Sequence, residues 1–218
     1  VQMPLARPPP HRKAPEKPGD SWATSSVRLF FSASVPHSTE EAMPNMSTPC
    51  EKKYAGKLRT PEEAASLIPD QSLVIFGSAI GQPPALLHAV ANRASSGGLS
   101  HLRMSSLLPL DASASSIFRE DCRPVIQWES MFASAFDRKL IADKSALFTP
   151  AFFHQIPRLF TEFMDINVAM ICVSPMDKHG YMSLGTNVDT NKAAVAAAGL
   201  VLAEVNPKMP RVHGDSWV

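Results

Sequence analysis

The chain has 218 residues, of which 44% are hydrophobic, and this is enough apolar material to bury a sizeable core. Its formal net charge is +1, and from Glu51 onward sixteen basic side chains stand against sixteen acidic ones, which argues against binding to nucleic acid or to an anionic membrane surface. No apolar run approaches the roughly 20 residues of a membrane span, and three widely spaced cysteines without a Cys-x-x-Cys pair argue for reduced thiols and against a structural zinc.

The first fifty residues differ in composition from the rest. They hold nine of the twenty prolines and show no sustained apolar period, which predicts a disordered leader over 1–50 and one folded domain over 51–218. Before residue 40 the leader is also basic, serine-rich and poor in acids, as in a mitochondrial transit segment. An alternative is that the first residues are not translated and that Met43 or Met46 is the true initiator, since the chain begins with Val1 rather than Met. The first interpretation predicts a mitochondrial protein and the second a cytoplasmic one.

A helix start and a buried strand come first after the leader. Thr60 is a suitable N-cap, Pro61 stands at the first helical position, and Glu63 completes a capping box. The four apolar residues Leu73–Phe76 then predict a buried strand. This strand runs into a loop at 77–84 that is rich in glycine and proline.

The 77–84 loop has two interpretations. It is not a nucleotide-binding loop, because Gly77 and Gly81 fit neither G-x-G-x-x-G nor a P-loop ending in G-K-[ST]. In one interpretation the glycines only form a tight turn and the prolines start a helix. In the other the glycines let a thioester or carboxylate approach the backbone amides, with Ser78 as a hydrogen-bond donor.

A helix and a strand follow the loop. The helix carries three apolar residues on one face, Leu86, Leu87 and Val90, and it ends before Gly97 and Gly98. Alternation over 101–108 predicts a strand, with Leu102, Met104 and Leu108 on one side.

Weaker patterns occupy the middle of the chain. A short strand is predicted over 125–128, a helix over 137–143, and a loop that enters a helix near Pro157. Phe152 and Phe153 are predicted to be core residues rather than a stacking platform, because no basic residues interleave with them.

The last part of the chain has the clearest organisation. An apolar run at 166–173 predicts a buried strand, and an alanine-rich helix begins at Asp189 or Thr190 and ends at Gly199. Leu200–Val205 predicts another buried strand. A strand, loop, helix, strand unit favours a parallel sheet, and ligands of such sheets bind at the loops that leave the carboxyl ends of the strands. The 177–190 loop is therefore the first candidate for a binding site.

Two interpretations of the start of that loop remain open. Asp177 and Gly180 are in the customary places of a solvated turn, whereas His179 could also line a pocket. A metal site is not predicted, because the spacing of the histidines and aspartates fits none of the usual ligand clusters. The residues considered for it are His154, His179, His213, Asp177, Asp189 and Asp215.

A set of motifs spans this region: Val173-Ser174-Pro175 with Asp177, His179-Gly180, Ser183-Leu184-Gly185, Ala203-Glu204-Val205-Asn206 and Pro210-x-Val212-x-Gly214-Asp215. In these motifs the chain resembles the acetyl-CoA hydrolase/transferase family, and within it the 4-hydroxybutyrate CoA-transferase branch. The similarity covers roughly residues 54–218 and corresponds to the amino-terminal half of a two-half enzyme.

The resemblance implies a fold and a reaction. The fold is an open α/β sheet, mostly parallel, with helices on both faces, of the NagB/RpiA/CoA-transferase type. The reaction is CoA transfer from a short-chain acyl-CoA to a carboxylate in acetate metabolism, with acetate or 4-hydroxybutyrate as acceptor, with the CoA thioester as substrate and without a metal. It proceeds in the family through a glutamyl-CoA thioester. The family's nucleophilic glutamate lies in the carboxy-terminal half, and Glu204 does not match its motif, so no catalytic residue is expected here.

The resemblance also implies partners and a pocket. Without its carboxy-terminal half the chain is expected to be inactive, to expose an apolar patch and to form homo-oligomers. Its loops are expected to line the acyl pocket through Gly77, Ser78, Pro83, Ser105, His154, His179, Gly180 and Asn187. Two rival functions remain: half of an acetyl-CoA hydrolase, in which water accepts the acyl group, and a non-catalytic binding module.

Overall fold

A computed structural model describes the backbone of residues 28–33 and all of residues 54–218. Eight strands in this part form one sheet in which every neighbouring pair is parallel. The strands are β1 (Arg28–Ala33), β2 (Leu58–Arg59), β3 (Leu73–Phe76), β4 (Leu102–Ser106), β5 (Ile126–Ser130), β6 (Ala146–Phe148), β7 (Val168–Val173) and β8 (Leu200–Val205). Their order across the sheet is β2-β1-β8-β7-β3-β4-β5-β6. The predicted open parallel α/β sheet is confirmed.

Short helices connect the strands. They are α1 (Pro61–Ser66), α2 (Pro84–Ser95), α3 (Asp111–Ala114), α4 (Ala135–Ala142), α5 (Ile156–Arg158) and α6 (Asn191–Ala197). A π-helical turn, Leu159–Phe163, continues α5, and single 3-10 turns lie at Ala55–Lys57, Ala79–Gly81 and Phe153–Gln155. Among the described residues, no helix has the length and apolar character to cross a membrane.

Two hydrophobic cores cover the two faces of the sheet. Val74 and Phe76 of β3 point into the core formed with α1, α2 and α4, whereas Leu73 and Ile75 point into the core formed with α5 and α6. Every residue of β3 and β7 is buried. This explains why these strands appear in the sequence as continuous apolar runs rather than as alternating patterns.

Local signals predicted several element boundaries. At the start of α1 the backbone N–H of Glu63 donates to Thr60 Oγ1 at 3.2 Å, and the N–H of Thr60 donates to Glu63 Oε2 at 2.9 Å, which is the predicted capping box. The helix near Pro157 and the strand–helix–strand order of β7, α6 and β8 are confirmed as well.

Three strands were not predicted: β1, β2, which has only two residues, and β6. β1 lies inside the stretch 1–50 for which composition predicts a disordered leader, and the rest of that leader lies outside the described residues. β6 has only three residues, too few to produce a recognisable period-2 pattern.

Two side-chain predictions are wrong. Phe152 and Phe153 were expected in the core, but they are 70% and 59% exposed, because they lie in the loop that follows the edge strand β6. Leu108 was expected on the same side of one strand as Leu102 and Met104. Strand β4 ends at Ser106, and Leu108 then adopts a positive φ of 48° that turns its side chain outward.

A buried polar contact attaches α4 to β5, the strand next to the edge strand β6. The indole Nε1–H of Trp128 in β5 donates to Asp137 Oδ1 at 2.8 Å, and Asp137 is completely buried. The other oxygen of Asp137 accepts the backbone N–H of Ser134 at 3.1 Å and so caps the helix. One carboxylate therefore satisfies both a buried donor and a helix end.

We predict that Asp137→Ala lowers the free energy of unfolding by about 2–4 kcal/mol, because it removes the cap and leaves a buried indole N–H unpaired. Asp165→Ala is the control, since Asp165 is exposed just before β7 and its loss should cost less than about 0.5 kcal/mol. Urea unfolding followed by circular dichroism measures both. Equal losses in the two variants would contradict the role given to Asp137.

Candidate functional site

An open cavity of about 350 Å³ lies at the carboxyl edge of the sheet. Because all strands are parallel, their carboxyl ends share this edge, and the loops after β3, β4, β5, β6 and β7 all reach the cavity. The lining residues are Ser78, Ala79, Ile80, Leu107, Leu108, Met131, Phe132, Ala151, Phe153, Thr186, Asn187 and Asp189. Ligands of parallel α/β sheets bind at this edge, which makes the cavity the candidate site.

The amide of Asn187 joins the loops after β3 and β7. Its Oδ1 accepts the backbone N–H of Ser78 at 2.9 Å and Nδ2–H of Asn191 at 2.7 Å. Its Nδ2 donates to Ser78 Oγ and to Asp189 Oδ2, both at 2.9 Å. Ser78 Oγ in turn donates to Asp189 Oδ2 at 2.7 Å. The side chain of Asn187 is buried and makes all four hydrogen bonds that an amide can make, so it fixes the position of both loops.

Two glycines make room for this amide. A Cβ atom on Gly81 would lie 2.3 Å from the Cβ of Asn187, and one on Gly77 would lie 2.3 Å from the carbonyl oxygen of Gly81. Both distances are far inside van der Waals contact. The glycines of the 77–84 loop are therefore explained by the close packing of two loops, which neither interpretation of the sequence included.

Two residues on the cavity wall have strained backbones. Ala79 and Leu108 adopt positive φ angles of 45° and 48°, a region that residues with a Cβ rarely occupy. The backbone N–H of Ala79 donates to the carbonyl of Leu107 at 3.4 Å, which links the two strained turns. Strain of this kind persists only where the surrounding structure imposes it, and it is frequent at functional sites.

The cavity has an apolar side and a polar corner. Exposed apolar side chains form the first: Ile80, Leu108, Phe132 and Phe153. Ser78, Thr186, Asn187 and Asp189 form the second. Asp189 is the one ionisable side chain among the described residues that line the cavity. Such a cavity suits a small ligand that is mostly apolar and has a few polar atoms.

The structure brings two of the expected site residues, Ser78 and Asn187, into the cavity. Gly77 and Pro83 are buried behind it, with Pro83 at the start of α2. Ser105 is buried in β4, where its Oγ donates to the carbonyl of Glu129 at 2.6 Å, so its hydroxyl is committed to the sheet.

The remaining expected residues lie outside the lining. His179 and Gly180 belong to an exposed turn in which the backbone N–H groups of His179 and Tyr181 donate to Asp177 Oδ1, both at 2.9 Å. This is the predicted solvated turn. Partial burial of Asp177 opposes its ionisation, but the backbone hydrogen bonds from Tyr181 and His179 and the charge of Arg211 hold its pKa below the ordinary value. His154 is exposed and stacks on Phe152 at 5.8 Å between ring centroids.

Most residues of the apolar wall were not predicted from the sequence. Met131 and Phe132 directly follow β5, and Leu107 and Leu108 follow β4, so the rule that ligands bind at strand ends could have identified them. Asp189 was noticed only as a helix start and as a metal candidate. Its place in the cavity depends on its contacts with Ser78 and Asn187, which no local pattern encodes.

Glu204 lies in β8 and has a structural role. It is buried, and its Oε2 accepts the backbone N–H of Leu86 in the first turn of α2 at 3.1 Å. Burial, together with the nearby charge of Glu204, raises the pKa of the Cys172 thiol to about 12. Neither residue lines the cavity, and the Cys172 thiol stays protonated at neutral pH.

No group of three or more His, Cys, Asp or Glu side chains in the described part of the chain is arranged to hold a metal ion. The polar corner of the cavity is formed by neutral donors and acceptors and one carboxylate.

Comparison with known proteins gives one family. Residues 42–218 match the model of the acetyl-CoA hydrolase/transferase N-terminal domain. The chain is 32% identical over 179 residues to succinyl-CoA:cyclohexane-1-carboxylate CoA transferase of Geobacter metallireducens, covering 82% of this chain and 40% of that protein. It is 36% identical over 170 residues to 4-hydroxybutyrate coenzyme A transferase of Clostridium kluyveri, covering 77% of this chain and 38% of that protein.

A solved structure has the same fold. RipA from Yersinia pestis superposes with a TM-score of 0.74 at 36% identity, covering 78% of this chain and 42% of RipA. The chain thus spans about 40% of the length of the relatives that it matches.

We predict that Gly81→Ala lowers the free energy of unfolding by about 1–3 kcal/mol, because the new methyl group must displace Asn187. Gly56→Ala is the matched control, since no atom lies within 4 Å of a Cβ there, and it should be neutral or stabilise by up to about 1 kcal/mol. Urea unfolding compares the two. Hydrogen exchange at the amide of Ser78 should accelerate in Gly81→Ala alone, and unchanged exchange would argue against the packing of Gly81 on Asn187.

Proposed function

This chain belongs to the acetyl-CoA hydrolase/transferase family, and from this premise we propose that it is the amino-terminal half of an acyl-CoA:carboxylate CoA-transferase and forms one wall of the acyl pocket. The proposed substrates are a short-chain acyl-CoA and a carboxylate of the acetate or 4-hydroxybutyrate type. The matched relatives are named as CoA transferases, which supports transfer as the reaction class.

The observation that carries this proposal is the meeting of two loops at one cavity. The loops after β3 and β7 are joined through Asn187 at the carboxyl edge of the sheet, where a cavity of about 350 Å³ opens. This volume suits an acyl group of a few carbon atoms. Its methylene groups would lie against Ile80, Phe132 and Phe153, and its polar atoms would face Ser78 and Asn187.

In the proposed reaction a glutamate carboxylate attacks the acyl-CoA carbonyl and the CoA thiolate leaves, giving a mixed anhydride. The thiolate then attacks the glutamyl carbonyl and releases the first acid, and the acceptor acid reverses both steps. We assign the glutamate to the part of the relatives that this chain does not cover. The contribution of this wall is to hold the acyl group and to keep water from the anhydride through its apolar side chains.

The apolar side chains around the cavity fit an incomplete pocket. Ile80, Phe132 and Phe153 are each more than half exposed, and they lie close together on one rim. Large exposed apolar patches usually mark a surface that another domain or ligand covers. We propose that the carboxy-terminal half covers this rim and completes the acyl pocket.

The reaction class is tested with the full reading frame that contains this sequence. Consumption of acetyl-CoA is expected to require an added carboxylate such as 4-hydroxybutyrate, and the 218-residue chain alone is expected to show no turnover. Equal consumption with and without the acid would assign hydrolysis instead. Turnover by the 218 residues alone would refute the division of the site between two halves.

Ser78→Ala in the full protein should lower kcat/KM for the acceptor acid about tenfold, because Ser78 Oγ holds both Asn187 and Asp189 in place. Ser66→Ala removes an exposed hydroxyl on α1 and serves as the control, with kinetics expected to be unchanged. Steady-state kinetics with a varied acid concentration measures both. If Ser78→Ala has wild-type kinetics, this cavity is not the acyl pocket.

A further inference from the structure

We propose that Asp189 selects acyl groups by the chemistry of their far end: it excludes a second carboxylate and accepts an uncharged end, best of all a hydroxyl. This inference rests on the proposed function, since it concerns the same cavity. It narrows the substrate class to monocarboxylic acyl groups.

The charge of Asp189 has no cationic partner at the cavity. The two groups that donate to its Oδ2, Ser78 Oγ–H and Asn187 Nδ2–H, are neutral. Among the described residues, no ion pair includes Asp189, and no lysine, arginine or histidine lines the cavity. A ligand in the cavity therefore meets a negative charge that this wall does not compensate.

A second carboxylate in the cavity lies near this charge. A sphere of 350 Å³ is about 9 Å across, which is close to the Debye length of about 8 Å at physiological ionic strength. Because Asp189 is exposed and the cavity is open, solvent and salt screen part of the repulsion between the two carboxylates, and binding is expected to weaken roughly threefold.

A hydroxyl group has the opposite effect. Both side-chain hydrogen bonds that Asp189 accepts from Ser78 and Asn187 reach Oδ2, which leaves Oδ1 on the side available to a ligand. An alcohol on the acyl chain can donate to Oδ1, and a hydrogen bond to a charged acceptor is stronger than one between neutral groups. A methyl group gains nothing there, but it is not repelled either.

The names of the two relatives described above include both kinds of acyl group. One relative is named for succinyl-CoA, whose acyl group has a second carboxylate, and for cyclohexane-1-carboxylate, which has a single carboxylate; the other is named for 4-hydroxybutyrate, whose acyl group ends in a hydroxyl. The uncompensated carboxylate of Asp189 assigns this chain to substrates of the second kind.

The test uses three four-carbon amides that differ only at the far end: 4-hydroxybutyramide, butyramide and succinamate. The amide group removes the charge at the reacting end, so the comparison isolates the far end. Binding to the 218-residue chain is measured by titration of the amide NMR signals of Ser78 and Asn187. Succinamate is expected to bind about threefold more weakly than butyramide, and 4-hydroxybutyramide at least as tightly as butyramide. Added salt should narrow the gap for succinamate.

Asp189→Asn removes the negative charge and keeps the size of the side chain, and asparagine retains an oxygen that can accept hydrogen bonds from Ser78 and Asn187. This variant should abolish the difference in affinity between succinamate and butyramide. Asp165→Asn makes the same change of charge at the opposite edge of the sheet, and it should keep the full gap.

Succinamate binding as tightly as butyramide to the wild-type chain, or an undiminished gap in Asp189→Asn, would overturn the inference. Equal binding of all three amides in the cavity would overturn the role of Asp189 but would still support the cavity as the acyl pocket. Absence of any shift at Ser78 and Asn187 would overturn the inference and count against the pocket, whereas the assay of the full reading frame tests the transfer reaction separately.

Discussion

The buried amide of Asn187 is the contact on which the site depends, because it joins two loops that are 109 residues apart in the chain. The sheet alone only brings these loops to the same edge. The amide fixes how the loops meet, because both of its donor positions and both of its acceptor positions are used in hydrogen bonds. The two glycines that pack against it leave no spare space. A buried network with every partner satisfied is rigid, and rigidity is what a small binding cavity needs.

The rest of the cavity follows from this junction. Asn187 positions Ser78 and Asp189, and so the polar corner and its one charge are set by the same amide that closes the loops. The apolar wall comes mainly from the loops after β4, β5 and β6, and Ile80 is added to it from the loop after β3. In the proposed function the junction therefore supplies orientation and charge, and the neighbouring strand ends supply most of the apolar surface.

The sequence was sufficient to predict the parallel α/β class, the strands β3, β4, β5, β7 and β8 and most of the helices between them, because continuous apolar runs such as β7 and the capping box at Thr60 are local signals. It was also sufficient to point to the loops after β3 and β7. It did not predict that Gly81 packs on Asn187, since that contact joins distant parts of the chain. The wrong predictions for Phe152 and Phe153 arose because hydrophobicity predicts burial, but both side chains are exposed in the loop after β6, and Phe153 lies at the open cavity rim.

The open rim has a consequence for the chemistry. A mixed anhydride is hydrolysed by water that reaches it, so the proposed transfer requires that the apolar wall be covered before the anhydride forms. The exposed side chains of Ile80, Phe132 and Phe153 can exclude water only when a second surface lies against them. In this view transferases and hydrolases on this fold need not differ in the wall described here. They differ in how completely the opposite surface closes over it.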